Sequence, residues 1–342
     1  MSYSNRMQKN HVYSEFLCPR GRDRIYDLGI QIAQLYLSPF DRIIGYIGEA
    51  SSGKSALVKG MFPGLELTND DDGVNVRPLP LLDQDEEHGF FSPHSYHVDI
   101  RFEMAFTPLP VLAEAIMKAV YNERRVIVEH FDLVYPYLPM NAHLLIGVGE
   151  EIVIARPSIF GPEPEEISAK VFASLPYRLM AHTAEDICEM YISDLELAKA
   201  QHGDIRHGFC MIFDKKPEID FITMEQHVNS IIERDLPVTY LDDSHITIGQ
   251  SVHRCRGPRT HVSHTGEIKG FRLLHSFVHD AFNNVYLLVG FVGEDSDSAF
   301  APCLAEKSLP LGAERVGTCD AVIFSGNTAL PQARRTHGTP SP

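Results

Sequence analysis

The sequence predicts an α/β domain, with a parallel sheet flanked by helices, followed by an α+β domain with an antiparallel sheet. Three observations carry this. The length of 342 residues corresponds to about two units of roughly 150 residues. Two apolar runs in the first half, Ile43–Ile47 and Val126-Ile-Val128, have the character of strands buried on both faces, as parallel strands are. A proline-rich stretch from Arg156 to Glu166 then interrupts the pattern and marks the expected boundary.

Residues 1–22 are polar and irregular. From Arg24 to Leu37 the positions Ile25, Leu28, Ile32 and Leu35 recur three or four residues apart, which predicts an amphipathic helix. A strand over 42–47, a glycine-rich stretch and a helix over 57–61 follow. The Asp-, Glu-, Pro- and Asn-rich residues 68–88 predict an acidic loop region. Alternation predicts a strand over 98–106, period a helix over 109–122, and the valine–isoleucine run a strand over 125–131. A glycine-interrupted apolar stretch spans 143–154. In the second half a helix is expected over 170–191, strands over 203–213 and 237–248 with a helix over 224–234 between them, and closing strands over 271–277 and 285–292. The domains are thus placed at 23–160 and 168–293, and residues 294–342, rich in Ser, Ala, Gly, Pro and Thr, as a tail without fixed structure.

Composition narrows the function classes. Hydrophobic residues at 44 % and charged residues at 22 % exclude a wholly disordered chain. Thirty basic against 46 acidic residues leave a net charge of −16, the wrong sign for a protein that coats nucleic-acid phosphates. No apolar run approaches the roughly 18 residues needed to span a bilayer, and the start lacks a signal-peptide core. No membrane association is therefore expected, and cytoplasm is the expected compartment. The scattered cysteines Cys18, Cys188, Cys210, Cys255, Cys303 and Cys319 are then expected to be free thiols or metal ligands.

The sharpest motif is Gly48-Glu-Ala-Ser51-Ser52-Gly53-Lys54-Ser55, a full match to the phosphate-binding pattern G-x-x-x-x-G-K-[ST]. Glycines let successive N–H groups converge on phosphate oxygens, Lys54 reaches the terminal phosphates, and Ser55 places its hydroxyl on Mg²⁺. A chance match in a chain of this length has a probability of about one per cent. A strand-like run precedes the loop and a helix-like run follows it, so a P-loop domain binding ATP (or GTP) with Mg²⁺ is the expectation. The acid that supports Mg²⁺ should lie at the end of a neighbouring buried strand. Glu129 and Asp132 both qualify, with a slight preference for Asp132. Asp70-Asp71-Asp72 lies where small-molecule P-loop kinases often carry an acid that takes the acceptor proton, although a solvated acidic turn explains it equally well.

Three segments of the second half share a family likeness. Arg178-Leu-Met-Ala-His182-Thr-Ala-Glu185-Asp186-Ile and Arg259-Thr-His261-Val-Ser-His-Thr265-Gly266-Glu267-Ile268-Lys-Gly-Phe271 resemble the two metal-binding segments of alanyl-tRNA synthetase editing domains. Val228-Asn229-Ser-Ile-Ile-Glu-Arg-Asp235-Leu-Pro237-Val238 is similar to the helix between them. The resemblance, over about residues 170–293, implies the second additional domain shared by alanyl- and threonyl-tRNA synthetases and free-standing editing proteins. It further implies a Zn²⁺ site at His182, Asp186, Cys255 and His261, used on the ester of a mischarged tRNA, with Thr183 and Glu185 orienting the substrate.

Two departures stand out. Position 186 is Asp where the family has His. The run from Cys255 to His261 is two residues longer than the family spacing, which a bulge at Gly257-Pro258 could absorb; otherwise His253 or Cys188 replaces a ligand, or the metal has been lost. Arg254, Arg256, Arg259, Lys269 and Arg272 form a local positive cluster that could meet a tRNA acceptor end or pair with the acidic first domain. Three functions stay open: nucleotide-dependent hydrolysis of an aminoacyl ester, a P-loop small-molecule kinase with Asp132 beside Lys54 and Ser55, and a nucleotide-gated RNA- or amino-acid-binding module.

Overall fold

A computed structural model describes residues 13–65, 67, 81–82 and 95–294. Strand β1 (Ser14–Leu17) and helix α1 (Arg22–Tyr36) precede β2 (Ile43–Ile47), α2 (Lys54–Met61) and β3 (Ser95–Asp99). Next come α3 (Ile100–Glu103), α4 (Leu109–Tyr121), β4 (Arg125–Glu129), α5 (Phe131–Val134), β5 (Leu144–Val148) and β6 (Glu151–Ala155). Six strands form one sheet in the order β1-β6-β5-β2-β4-β3. β5, β2, β4 and β3 run parallel, β6 runs antiparallel to β5, and β1 pairs antiparallel with β6 and so shares the direction of the four. The sheet is therefore mixed where a parallel one was expected, because the glycine-interrupted stretch 143–154 turns back at Gly149 and Glu150 as a hairpin.

Central β2 has every residue buried, which is why it reads as a continuous apolar run rather than an alternating one. α1 lies against α2 through glycines: a Cβ on Gly60 would sit 2.1 Å from the Tyr26 carbonyl oxygen, and one on Gly29 would sit 2.7 Å from that of Leu57. This close approach fixes α2, and with it the start of the glycine-rich loop's helix.

Helix α6 (Pro164–Glu189) leaves this domain. Its start carries a capping box, with Glu163 and Glu166 each satisfying the other's backbone N–H. Ile167 and Val171 belong to the core under the first sheet, while Met180, Ala181, Ala184 and Ile187 belong to the core of the second domain. One helix thus joins both cores. The second domain continues through α7 (Asp194–Leu197), β7 (Gln201–Ile205), β8 (Gly208–Phe213), α8 (Phe221–Glu233), β9 (Val238–Asp242), β10 (His245–Ile248) and β11 (Ser251–Arg254). β12 (Arg272–Leu273), β13 (Val278–Asp280) and β14 (Val285–Phe291) complete it. β9–β11 form a three-stranded antiparallel meander, and β7, β8 and β14, with β12 and β13 on the outer edge of β14, form a second antiparallel sheet.

Several expectations need correction. Residues 14–17 form an edge strand, not an irregular start, because their backbone pairs with β6. The strand expected over 98–106 ends at Asp99, whose side chain accepts from the Phe102 N–H and starts a helix. The single strands expected over 203–213 and 237–248 are hairpins. The proline-rich boundary ends in a helix start, Pro164 standing at the first helical position where its missing N–H costs nothing. Asp70-Asp71-Asp72 and the expected tail, except for Glu294, lie outside the described residues.

Candidate functional site

The glycine-rich loop connects the carboxyl end of β2 to α2. Gly53 has φ of +94° and Ser51 of +64°, the left-handed region that Gly enters without strain. Lys54 is 4 % exposed, and its ammonium donates to the carbonyls of Gly48 at 3.0 Å and Glu49 at 2.7 Å. Burial lowers its pKa, opposed by the carboxylates of Glu129, Asp99 and Glu49. The Ser55 hydroxyl donates to Glu129, 3.1 Å from Oε1 and 3.3 Å from Oε2. Register explains the meeting, because Glu129 ends β4 directly beside Tyr46 of β2 and Asp99 of β3.

The carboxylate that the structure places against Ser55 is thus that of Glu129, not the slightly preferred Asp132. β4 ends at Glu129, and Asp132 falls inside α5; its Oδ1 is buried without a hydrogen-bond partner. Burial raises the Asp132 pKa, with the Lys54 charge acting in the opposite direction. At Glu129 burial also works upward, but the hydrogen bond and charge of His97, the charge of Lys54 and the Ser55 hydroxyl outweigh it and leave a lowered pKa. His97 Nε2 donates to Glu129 at 3.1 Å. Sequence reasoning missed His97 and Asp99, whose place at the same sheet edge depends on strand register.

The second candidate centre brings together the four residues that the resemblance implied. His182 and Asp186, four apart on α6, face the same way, and Cys255 and His261 reach them from the segment after β11. The ligand atoms of all four lie within 4.8 Å of one another. Cys255 Sγ is 3.5 Å from His182 Nε2 and 3.6 Å from His261 Nε2, and Asp186 Oδ2 is 2.9 Å from His261 Nε2. A tetrahedral Zn²⁺, with bonds of about 2.3 Å to sulfur and about 2.05 Å to nitrogen, sets its S···N edges at about 3.6 Å. Both ring Nδ1 atoms face carbonyls, Thr260 at 2.9 Å for His182 and Pro258 at 3.3 Å for His261. A carbonyl accepts, which suits an N–H at Nδ1 of both rings and leaves both Nε2 atoms facing inward, that of His261 beside an Asp186 carboxylate oxygen at 2.9 Å. Two imidazole nitrogens, a carboxylate oxygen and a sulfur thus converge on one point and could hold a metal ion.

The electrostatics of the four side chains follow from their burial and close approach. Burial and the nearby His261 charge push the His182 pKa well down. Burial would raise Asp186, but the surrounding His182, His261 and His253 hold it below the usual carboxylate range. Burial and the Asp186 carboxylate push the Cys255 thiol up, while the Gly257 N–H donates to its sulfur at 3.2 Å. The two-residue insertion is taken up by a turn closed by Thr260 N–H on the Gly257 carbonyl at 3.0 Å, outside any strand. Cys188 is fully buried in the second-domain core and stands outside the four.

Thr183 and Glu185, expected to orient a substrate, are committed within the protein. Thr183 is fully buried; its hydroxyl donates to the Leu179 carbonyl at 2.8 Å and accepts from the Val262 N–H at 3.2 Å. Glu185 is 3.2 Å from Arg20 Nε and 3.1 Å from His202 Nδ1. Of the basic cluster, Arg254, Arg256 and Arg259 are exposed; Arg259 lies 4.5 Å over the Tyr240 ring, and Lys269 donates to the Gly266 carbonyl at 2.6 Å.

The two centres touch. Arg178, one turn before His182 on α6, donates to the carbonyls of Ser52 at 2.7 Å, Gly149 at 3.3 Å and Pro19 at 3.1 Å. Thr260, whose carbonyl holds His182, directs its hydroxyl to the Ser51 carbonyl at 3.5 Å. No helix among the described residues is long and apolar enough to cross a membrane. No protein-family model matches the chain, and no curated protein matches it either.

Proposed function

We propose that the protein binds a nucleoside triphosphate with Mg²⁺ at the loop Gly48–Ser55 and cleaves or transfers its terminal phosphate, and that a Zn²⁺ held by His182, Asp186, Cys255 and His261 fixes the second domain under that loop. The observation that carries the reading is the contact of Ser55 with Glu129 at the carboxyl edge of the parallel strands, immediately after Lys54. In this arrangement the loop N–H groups and the α2 N-terminus bind phosphate oxygens. Lys54 exchanges the carbonyls of Gly48 and Glu49 for the terminal phosphates. Ser55 and Glu129 hold Mg²⁺ or its water, which offsets charge on the phosphates. ATP and GTP both remain candidates.

Thiolate and imidazole ligands suit Zn²⁺ better than Mg²⁺ at the second centre. Four protein ligands close a tetrahedral shell, as in structural zinc sites, whereas a hydrolytic zinc keeps one position for water. This, with the internal commitments of Thr183 and Glu185, favours a structural zinc over hydrolysis of an aminoacyl ester at the quartet.

The test is phosphate release from Mg·ATP and Mg·GTP by the wild type and by Glu129→Gln. The expected result is turnover of one nucleotide that falls by about 10²-fold in the variant, a loss near 3 kcal/mol, with binding kept. Aminoacyl-tRNA deacylation that persists in Lys54→Ala, with no nucleotide turnover by the wild type, would favour the hydrolytic reading instead.

A further inference from the structure

Asp186 faces two groups of ligands, not one. Its Oδ2 meets His261 at 2.9 Å, and its Oδ1 lies 4.0 Å from His253 Nε2. Glu189, three residues further along α6, brings Oε2 to 3.4 Å from the same His253 nitrogen. The ligand atoms of Asp186, Glu189 and His253 all lie within 4.8 Å of one another. Local geometry explains the grouping. His182, Asp186 and Glu189 stand at i, i+4 and i+7 on one helix face, and His253 in β11 and Cys255 just after it both come against that face. His253 Nε2 is shielded from solvent and makes no hydrogen bond of good geometry; it points between the two carboxylates.

We infer that Asp186, Glu189 and His253 form a second divalent-cation site, bridged to the quartet through the Asp186 carboxylate. This rests on the preceding reading only in sharing Asp186 with the quartet. One imidazole and two carboxylates, without sulfur, suit Zn²⁺ or Mn²⁺. Carboxylate-bridged pairs of metal ions stand about 3.5–4 Å apart, so one carboxylate can serve both. The two sites differ in kind: the quartet supplies four protein ligands, whereas this one supplies three and keeps a position for water or a ligand oxygen. Its outer side chains are also more open, His253 at 12 % and Glu189 at 14 % exposure against 4 % for Asp186.

The neighbouring group Glu185, Glu189 and His202 is a weaker candidate. Arg20 already sits 3.2 Å from Glu185, and its positive charge opposes a cation there.

The test is equilibrium dialysis of the full chain against Zn²⁺ alone, followed by elemental analysis, with Co²⁺ as a spectroscopic probe in parallel. About two metal ions per chain are expected in the wild type and about one in His253→Ala and in Glu189→Gln. The cobalt–thiolate band, which reports Cys255, should keep its full intensity in both variants. Two variants guard against misfolding in either. One metal per chain in the wild type, unchanged in both variants and saturating the thiolate band, would overturn the second site and leave His253 as an ion-pair partner of Glu189. No bound metal at all would overturn the quartet as well.

Discussion

Arg178 donates from Nη1 to the carbonyl of Ser52 at 2.7 Å, across 126 residues of chain. One guanidinium thereby ties the glycine-rich loop to the helix that carries His182 and Asp186. The same side chain serves the carbonyls of Gly149 and Pro19. Arg has the planar fork this needs; a Lys ammonium does not.

Arg178→Ala leaves buried carbonyls without donors, each at a cost of about 1–3 kcal/mol. We expect a loss of about 2–4 kcal/mol in stability by urea unfolding, and weaker binding of Mg·nucleotide because Ser52 loses its support. Arg178→Lys should recover only part of either. Unchanged nucleotide affinity in a folded Arg178→Ala would show that the link between the two centres has no functional weight.

Gly257→Ala tests the packing around the metal quartet. A Cβ there would lie 2.9 Å from His182 Cε1 and 3.3 Å from the Gly21 backbone nitrogen. Neither neighbour has room to give without moving a ligand or the start of α1. Zinc affinity, measured by competition with a coloured chelator, should fall by about 10–100-fold, the range seen when a ligand loses its support.

His130 predicts an acid-sensitive limb. It sits at the end of β4 with φ of +55° and is 7 % exposed; burial, aided by the Lys54 charge, brings its pKa down from 6.5 to about 4. The native state therefore holds it neutral where the unfolded chain protonates it. Above pH 6.5 the residue adds no pH dependence, and stability falls as pH drops from about 6.5 to about 4. The shift corresponds to about 3 kcal/mol at most. Asn tolerates the left-handed backbone, so His130→Asn should flatten this limb in a comparison of urea midpoints between pH 7 and pH 4. Parallel wild-type and variant curves would contradict it.

The strand–loop–helix of the first domain and the His182/Asp186 half of the quartet were legible because their signals are local, whereas Cys255 and His261, distant in the chain, came with the family resemblance. A G-x-x-x-x-G-K-[ST] run and an i, i+4 pair fix geometry within one or two turns of chain. What stayed hidden depends on distant partners. Thr183 and Glu185 have polar side chains in a motif that resembles a substrate-handling segment, yet Val262 and Arg20 occupy them, and neither partner is near in sequence. The choice between Glu129 and Asp132 turned on where β4 stops, one residue before a left-handed His130. The β7–β8 hairpin turns through Arg206 and His207, with His207 at φ of +54°, and so lacks the Asn-Gly or Asp-Gly signal that marks such turns. β1 is only four residues long and gains its strand character from pairing with β6.

The most direct test of the account is a calorimetric titration of Mg·ATP and Mg·GTP into the wild type and Lys54→Ala. Saturable binding of one of them to the wild type is expected, weakened at least about 10²-fold in the variant, a difference near 3 kcal/mol. Equal binding to both proteins, or no binding of either nucleotide to the wild type, would contradict a phosphate site at Gly48–Ser55.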